Sequence, residues 1–126
     1  MTSYVLDSSA ILATVNVEPG YERVDSILSN SSVSTVNAAE VLSKLVERGI
    51  APNDALEDLV RLGLKIKDFD ISQAARAAEL RPMTKKLGLS LGDRACIALA
   101  IQENAIAVTA DKTWSKLDVC KIEIIR

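Results

Sequence analysis

Histidine is absent from the 126-residue chain. That one absence excludes imidazole acid–base catalysis, Ser-His-Asp and Cys-His nucleophile systems, and zinc sites built on imidazole. Any catalysis must rest on carboxylates, lysines, hydroxyls or a metal held by oxygen ligands. Cysteine is scarce: Cys96 and Cys120 lie far apart, without ligand spacing or a disulfide framework. Cys96 falls in an apolar stretch and reads as a small buried hydrophobe, and Cys120 also reads as structural. Aromatic residues make up only 3% of the chain, so the lone Trp114 is expected to anchor a core rather than stack on a base. No apolar run approaches the roughly 20 residues of a membrane span. The first apolar segment has no basic flank and is interrupted by Asp7, unlike a signal peptide, which makes the cytoplasm the expected location. Linkers, repeats and low-complexity segments are missing as well, so residues 1–126 are read as a single domain. A net charge of −2 excludes a uniformly basic nucleic-acid binder but leaves room for a basic rim beside an acidic, metal-filled centre.

What is present centres on Leu89–Asp111, LSLGDRACIALAIQENAIAVTAD. Ser90 is a plausible helix N-cap, with Gly92 and Asp93 in the first turn. Every residue from Ala95 to Ile101 is apolar or Cys, too uniform for a helix with one wet face, so burial on most sides is expected. Glu103 and Asn104 end that helix, and Ala105–Val108 reads as an interior strand that stops at Thr109-Ala110-Asp111. Asp93 and Asp111 therefore frame a buried helix–strand pair.

Earlier in the chain, Tyr4-Val5-Leu6 is a short strand running into Asp7, and either Asp7 or Ser8 can cap the helix that follows. Tyr21–Leu28 is a short helix, Asn30–Ser32 a turn, and Val33–Val36 a second strand. A helix from about Asn37 to Arg48 carries Val41, Leu42, Leu45 and Val46 on one face, with Glu40 in its first turn. Pro52 opens another helix, with Leu56, Leu59, Val60 and Leu62 apolar. Leu64–Phe69 alternates as a third strand, and Asp70 to about Leu87 is helical with a break at Pro82. A turn of helix around Lys112–Lys116 and a strand at Lys121–Ile125 close the chain. Strands alternating with helices predict an α/β domain, its central mainly parallel β-sheet flanked by helices on both faces. Ligand sites in such sheets lie beyond the carboxyl ends of the strands. Asp7, Glu40 and Asp111 fall on that edge, and Asp93 joins them from its helix start.

Each acid alone has a plain structural use as a helix cap, a dipole partner or a turn former. Together they repel one another and call for a counter-charge. A hard divalent cation meets that need, and an all-oxygen donor set suits Mg²⁺ or Mn²⁺. One or two such ions can activate water and stabilise the charge that develops in phosphodiester hydrolysis.

The order of these acids and their flanks is specific. Asp7-Ser8-Ser9, Glu40 after the second strand, Leu89-Ser90-Leu91-Gly92-Asp93-Arg94-Ala95, and Thr109-Ala110-Asp111 followed by Trp114 resemble the PIN-domain ribonucleases. More narrowly, the chain resembles the VapC toxins of bacterial toxin–antitoxin modules over nearly its whole length. The resemblance implies a PIN-like fold and a Mg²⁺- or Mn²⁺-dependent endoribonuclease that cuts RNA with a metal-activated water. It further implies a homodimer neutralised by a VapB-type antitoxin. Carried over by position, it makes Asp7, Asp93 and Asp111 metal ligands. Glu40 becomes a further ligand or acts through a bound water, and Ser8 and Thr109 support the set by hydrogen bonds.

Lys85, Lys86, Arg94 and Lys112 adjoin these acids and are candidates for holding the phosphates that flank the cut; Arg94 serves equally well as a salt-bridge partner. Two other readings compete. An aspartate-based phosphatase would need a second Asp two residues after Asp7, where Ser9 stands, and a non-catalytic RNA-binding or protein-interaction module gains nothing from four repelling acids.

Overall fold

The computed structural model describes residues 2–126. Strand β1 (Tyr4–Leu6) leads through Asp7 into helix α1 (Ser8–Asn16), and α2 (Tyr21–Ile27) follows. Next come β2 (Ser31–Ser34), α3 (Thr35–Glu47), α4 (Pro52–Arg61) and β3 (Lys65–Lys67). Helices α5 (Ile71–Glu79) and α6 (Arg81–Thr84) precede α7 (Leu91–Glu103), β4 (Ile106–Thr109), a 3₁₀ turn at Lys112–Lys116 and β5 (Ile122–Ile124).

The five strands form one sheet in the order β3-β2-β1-β4-β5, and every pairing is parallel. Its order reverses around β1: the chain moves outward through β2 and β3, then returns to place β4 on the other side. A crevice beyond the carboxyl end of β1 follows from that reversal. Alternation along the strands sends neighbouring side chains to opposite faces. Val5 and Ala107 join Cys96–Ala100 of α7, Ala77 and Leu80 in one core. Leu6, Val33 and Val108 face the other way, into a core completed by Ala10 and Ile11 of α1, Val24 of α2, Val41 and Leu45 of α3, and Leu59 of α4.

Residues Ala95 to Ala100 of α7 are all buried, as their uniform apolarity requires. Trp114 is wholly buried in the same core, where it anchors the turn after β4. No helix among the described residues is long and apolar enough to cross a membrane.

Several element boundaries differ from the sequence expectation. Strand β2 occupies Ser31–Ser34, residues expected partly as a turn, and helix α3 begins at Thr35 instead of Asn37. The reason lies in the serines. Ser31 Oγ donates back to the Ile27 carbonyl (2.7 Å), which lets a polar side chain be buried in the strand. Ser34 Oγ accepts from the Val36 amide (3.2 Å) and caps the helix, drawing Thr35 and Val36 into its first turn against their β preference. The expected Asp70–Leu87 helix is divided at Leu80, where Pro82 sits in the first turn of α6, a position that needs no amide hydrogen.

Candidate active site

Asp7 leaves β1 in an extended conformation (φ −83°, ψ 176°) and caps α1, its Oδ1 accepting from the Ala10 amide at 2.8 Å. The register pairs Leu6 with Val108, so the next residue of β4, Thr109, comes to lie beside Asp7. Thr109 Oγ1 donates to Asp7 Oδ2 at 2.5 Å, and Ser9 Oγ donates to Oδ1 at 2.7 Å. Both hydroxyls accept from the turn beyond β4: Ala110 N donates to Ser9 Oγ (2.9 Å), and Asp111 N donates to Thr109 Oγ1 (3.0 Å). Two strand ends are thereby laced together around one carboxylate.

That carboxylate is only 3% exposed. Burial pushes its pKa up to about 6 from 3.8; the hydrogen bonds from Thr109, Ser9 and Ala10 oppose the change, and the negative charge of Asp93 adds to it.

Because α3 starts at Thr35, Glu40 falls in its second turn, one turn later than the sequence suggested. Its Oε1 accepts from Asn37 Nδ2 at 3.0 Å, and the same nitrogen donates to the carbonyl of Gly92 at 3.0 Å. Glu40 thus rests against the first turn of α7. A Cβ at Gly92 would lie 2.6 Å from the Glu40 carboxyl carbon, so only glycine admits this approach.

Asp93 completes a capping box at the start of α7. Its Oδ2 accepts from Ser90 N (2.9 Å), while Ser90 Oγ accepts from Asp93 N (3.2 Å). Asp111 caps the 3₁₀ turn, and its Oδ1 accepts from both the amide (2.9 Å) and the hydroxyl (2.8 Å) of Thr113.

Cys96 lies within reach of the charge of three of these acids. One turn beyond Asp93 and fully buried, its Sγ lies 3.8 Å from the Val5 carbonyl. Burial pushes its thiol well above the usual range, and the charges of Asp7, Asp93 and Glu40 push the same way. Cys96 is therefore a neutral thiol beneath an acidic surface, consistent with its expected role in the core.

The donor set suits a hard cation. It holds carboxylate oxygens and hydroxyls, with no imidazole in the chain and the nearest thiol kept protonated. Among the described residues no three Asp, Glu, Cys or His side chains already close into a metal cage. Asp93 and Asp111 each commit one oxygen to capping and keep the other available.

The hydroxyl that reaches Asp7 beside Thr109 is that of Ser9, two residues along, and not that of Ser8 as expected. Ser8 instead lines a groove between α1 and α3. Arg94 is half-buried and forms no ion pair among the described residues. Its Nη1 donates to the Ala77 carbonyl (3.0 Å), bracing α5 against α7. Lys85, Lys86 and Lys112 are exposed and form no ion pair among the described residues. Sequence reasoning missed Asn37 and Gly92. Asn37 lies three residues before Glu40, the spacing at which helical side chains meet, and that was the available signal.

The family model described as "PIN domain" matches residues 4–119. The chain belongs to the PIN-domain family. No curated protein gives a significant sequence match to it. This PIN domain is similar in structure to a toxin–antitoxin complex from Klebsiella pneumoniae, with a TM-score of 0.79, 15% identity and 98% of each chain covered. It is likewise similar to DNA-bound VapBC from Salmonella typhimurium (TM-score 0.76, 20% identity, 100% of each chain covered). VapBC2 from Rickettsia felis, bound to a fragment of its promoter, gives a TM-score of 0.74 at 22% identity over 97% of this chain and 98% of that one. At such identities the PIN domain shares their fold.

Proposed function

We propose that this PIN domain is a VapC-like toxin, a Mg²⁺- or Mn²⁺-dependent endoribonuclease held in check by a VapB-like antitoxin. The observation that carries the reading is the buried Asp7 carboxylate, laced between two strand ends and pushed up to about 6 beside Asp93. Even with three hydrogen bonds, this carboxylate is costly to keep buried near a second acid, and such perturbed acids cluster at functional sites.

Asp7, Asp93 and Asp111 would hold the ion, with Glu40 as a further ligand or as acceptor for a bound water. When bound, a divalent ion supplies an activated water and neutralises the charge that develops on the phosphodiester. The chain's own contribution is positional. Ser9 and Thr109 orient both oxygens of Asp7, and the capping box orients Asp93. Lys85, Lys86 and Lys112 are exposed and available to contact RNA phosphates as a rim, whereas Arg94 has one nitrogen committed to the Ala77 carbonyl.

The structures compared above include toxin–antitoxin complexes, which supports an antitoxin partner here. A groove of about 590 Å³ between α1 and α3 includes Leu12, Val36 and Ala39 in its lining and also reaches Ser8 and Glu40. A peptide lying there would approach Glu40 directly. Exposed Val46, Leu56 and Val60 on α3 and α4 offer an apolar face for a homodimer.

The deciding experiment is cleavage of total RNA by purified protein with Mg²⁺ or Mn²⁺, run beside EDTA and beside Asp7→Asn prepared identically. Discrete fragments that vanish in both controls are expected. Fragments that persist with Asp7→Asn would come from a contaminant and remove the support for activity.

A further inference from the structure

Asn37 is an odd residue to find in the interior. It is 1% exposed, and its Oδ1 has no hydrogen-bond partner among the described residues. An orphaned buried acceptor of this kind gives up its hydration and gets nothing in return. Reversing the amide does not relieve it, because both atoms facing Nδ2 are acceptors, namely Glu40 Oε1 and the Gly92 carbonyl, each at 3.0 Å. The amide is therefore held in one orientation by the two contacts it makes, at the expense of its own oxygen.

Those contacts join separate parts of the site. Glu40 belongs to α3, while Gly92 immediately precedes Asp93 on α7. One nitrogen uses its two hydrogens to set the Glu40 carboxylate at a defined distance from the helix start that bears Asp93. The missing side chain at Gly92 is what allows the two to meet. The Gly92 carbonyl lies inside α7 and has the helix itself as its ordinary partner, so backbone satisfaction does not require Asn37.

We propose that Asn37 is a positioning residue that acts through Glu40, fixing its carboxylate for divalent-ion binding rather than stabilising the fold. The proposal rests on the metal-dependent reading given above. Its test reads ion binding directly, without cleavage. Mn²⁺ affinity is measured by titration calorimetry on wild type, Asn37→Leu, Glu40→Ala and the double variant, with the Tm of each metal-free protein recorded alongside.

Asn37→Leu keeps the branched outline, with somewhat more bulk, and removes both the amide and the orphaned oxygen. Its expected result is Mn²⁺ binding weakened about 10–100-fold, the range typical of lost outer-shell partners, with the metal-free Tm unchanged or higher. In the Glu40→Ala background the same substitution is expected to cause no further loss, as a residue acting through Glu40 requires. Mn²⁺ affinity equal to wild type in Asn37→Leu would overturn the proposal and leave the metal-dependent reading standing. A lower Tm with weakened binding that persists undiminished in the Glu40→Ala background would also overturn it, by marking Asn37 as structural. Absence of Mn²⁺ binding in wild type would sink both the reading and the proposal, and is thereby told apart from failure of the proposal alone.

Discussion

Asp7 carries two opposed demands. Capping α1 and accepting from Ser9 and Thr109 favour its ionised form, whereas burial and Asp93 oppose it, and the balance leaves its pKa at about 6. The folded state therefore keeps a proton that the unfolded chain loses near 3.8. Stability falls as pH rises between those values and levels off above about 6. The total loss is about 3 kcal/mol, since each tenfold change in proton affinity corresponds to about 1.4 kcal/mol. Asp7→Asn keeps the shape and has no charge to bury. We expect it to abolish cleavage and yet to be the more stable protein at pH 7.5 without metal, with its advantage over wild type gone by pH 4. Urea midpoints measured across that pH range in EDTA check this; a variant less stable than wild type at pH 7.5 would contradict it. Gly92→Ala is the second residue-scale case. Its methyl group would meet the Glu40 carboxylate, so Glu40 must swing off Asn37. Ala is the better helix former, so Tm should hold or rise slightly while cleavage drops about 10–100-fold in a fixed-time RNA assay.

The elements divide the labour between the two faces of the sheet. Helix α7 is sunk into one core along Ala95–Ala100, and its first turn is exposed just enough to present Asp93. The turn after β4 is held by Trp114, which is 0% exposed and lies three residues beyond Asp111. Removing that ring would open a cavity directly behind an acid of the site. Trp114→Ala should cost about 3–5 kcal/mol, read from denaturant midpoints. It should also weaken Mn²⁺ binding, because the turn bearing Asp111 loses its anchor. Unchanged stability would mean the turn is held by Leu117 and its backbone bonds instead.

At the scale of the whole molecule, the acidic edge and the exposed apolar face on α3 and α4 make different predictions. A cation that binds only the folded state stabilises it in proportion to the logarithm of its concentration, by about 2.7 kcal/mol at 100 times its dissociation constant. Mn²⁺ should therefore raise Tm progressively in wild type at pH 7.5, and much less in Asp7→Asn. A Tm indifferent to Mn²⁺ in wild type would count against the metal-dependent reading. Val60 is 58% exposed and Leu56 49% exposed on the same helix, one turn apart. If that face joins two copies, Val60→Glu should shift the protein to the monomer in light scattering after gel filtration, with little change in fold. A wild type already monomeric at high micromolar concentration would remove the dimer.

Much of this protein is local chemistry that a linear reading reaches. The caps at Asp7 and Ser90, the turn at Asp111, the uniformly apolar run at Ala95–Ile101 and the alternation of strand with helix each depend on residues close in the chain. So do the α/β class, the sheet edge on which the acids fall and the core role of Cys96 and Trp114. Other features depend on atoms distant in sequence, and these only packing decides. Asp7 meets Thr109 because β1 and β4 are neighbours in register; Ser9 displaces Ser8 because of where the first turn of α1 faces once that register is set. Arg94 turns to Ala77 because α5 lies across α7, and Asn37 matters because α3 brings it within 3.0 Å of Gly92. Propensity and capping act over a few residues, so they are written in the sequence. The pKa of a carboxylate and the partner of an amide depend on dielectric and contact in three dimensions, which do not exist until the sheet has closed.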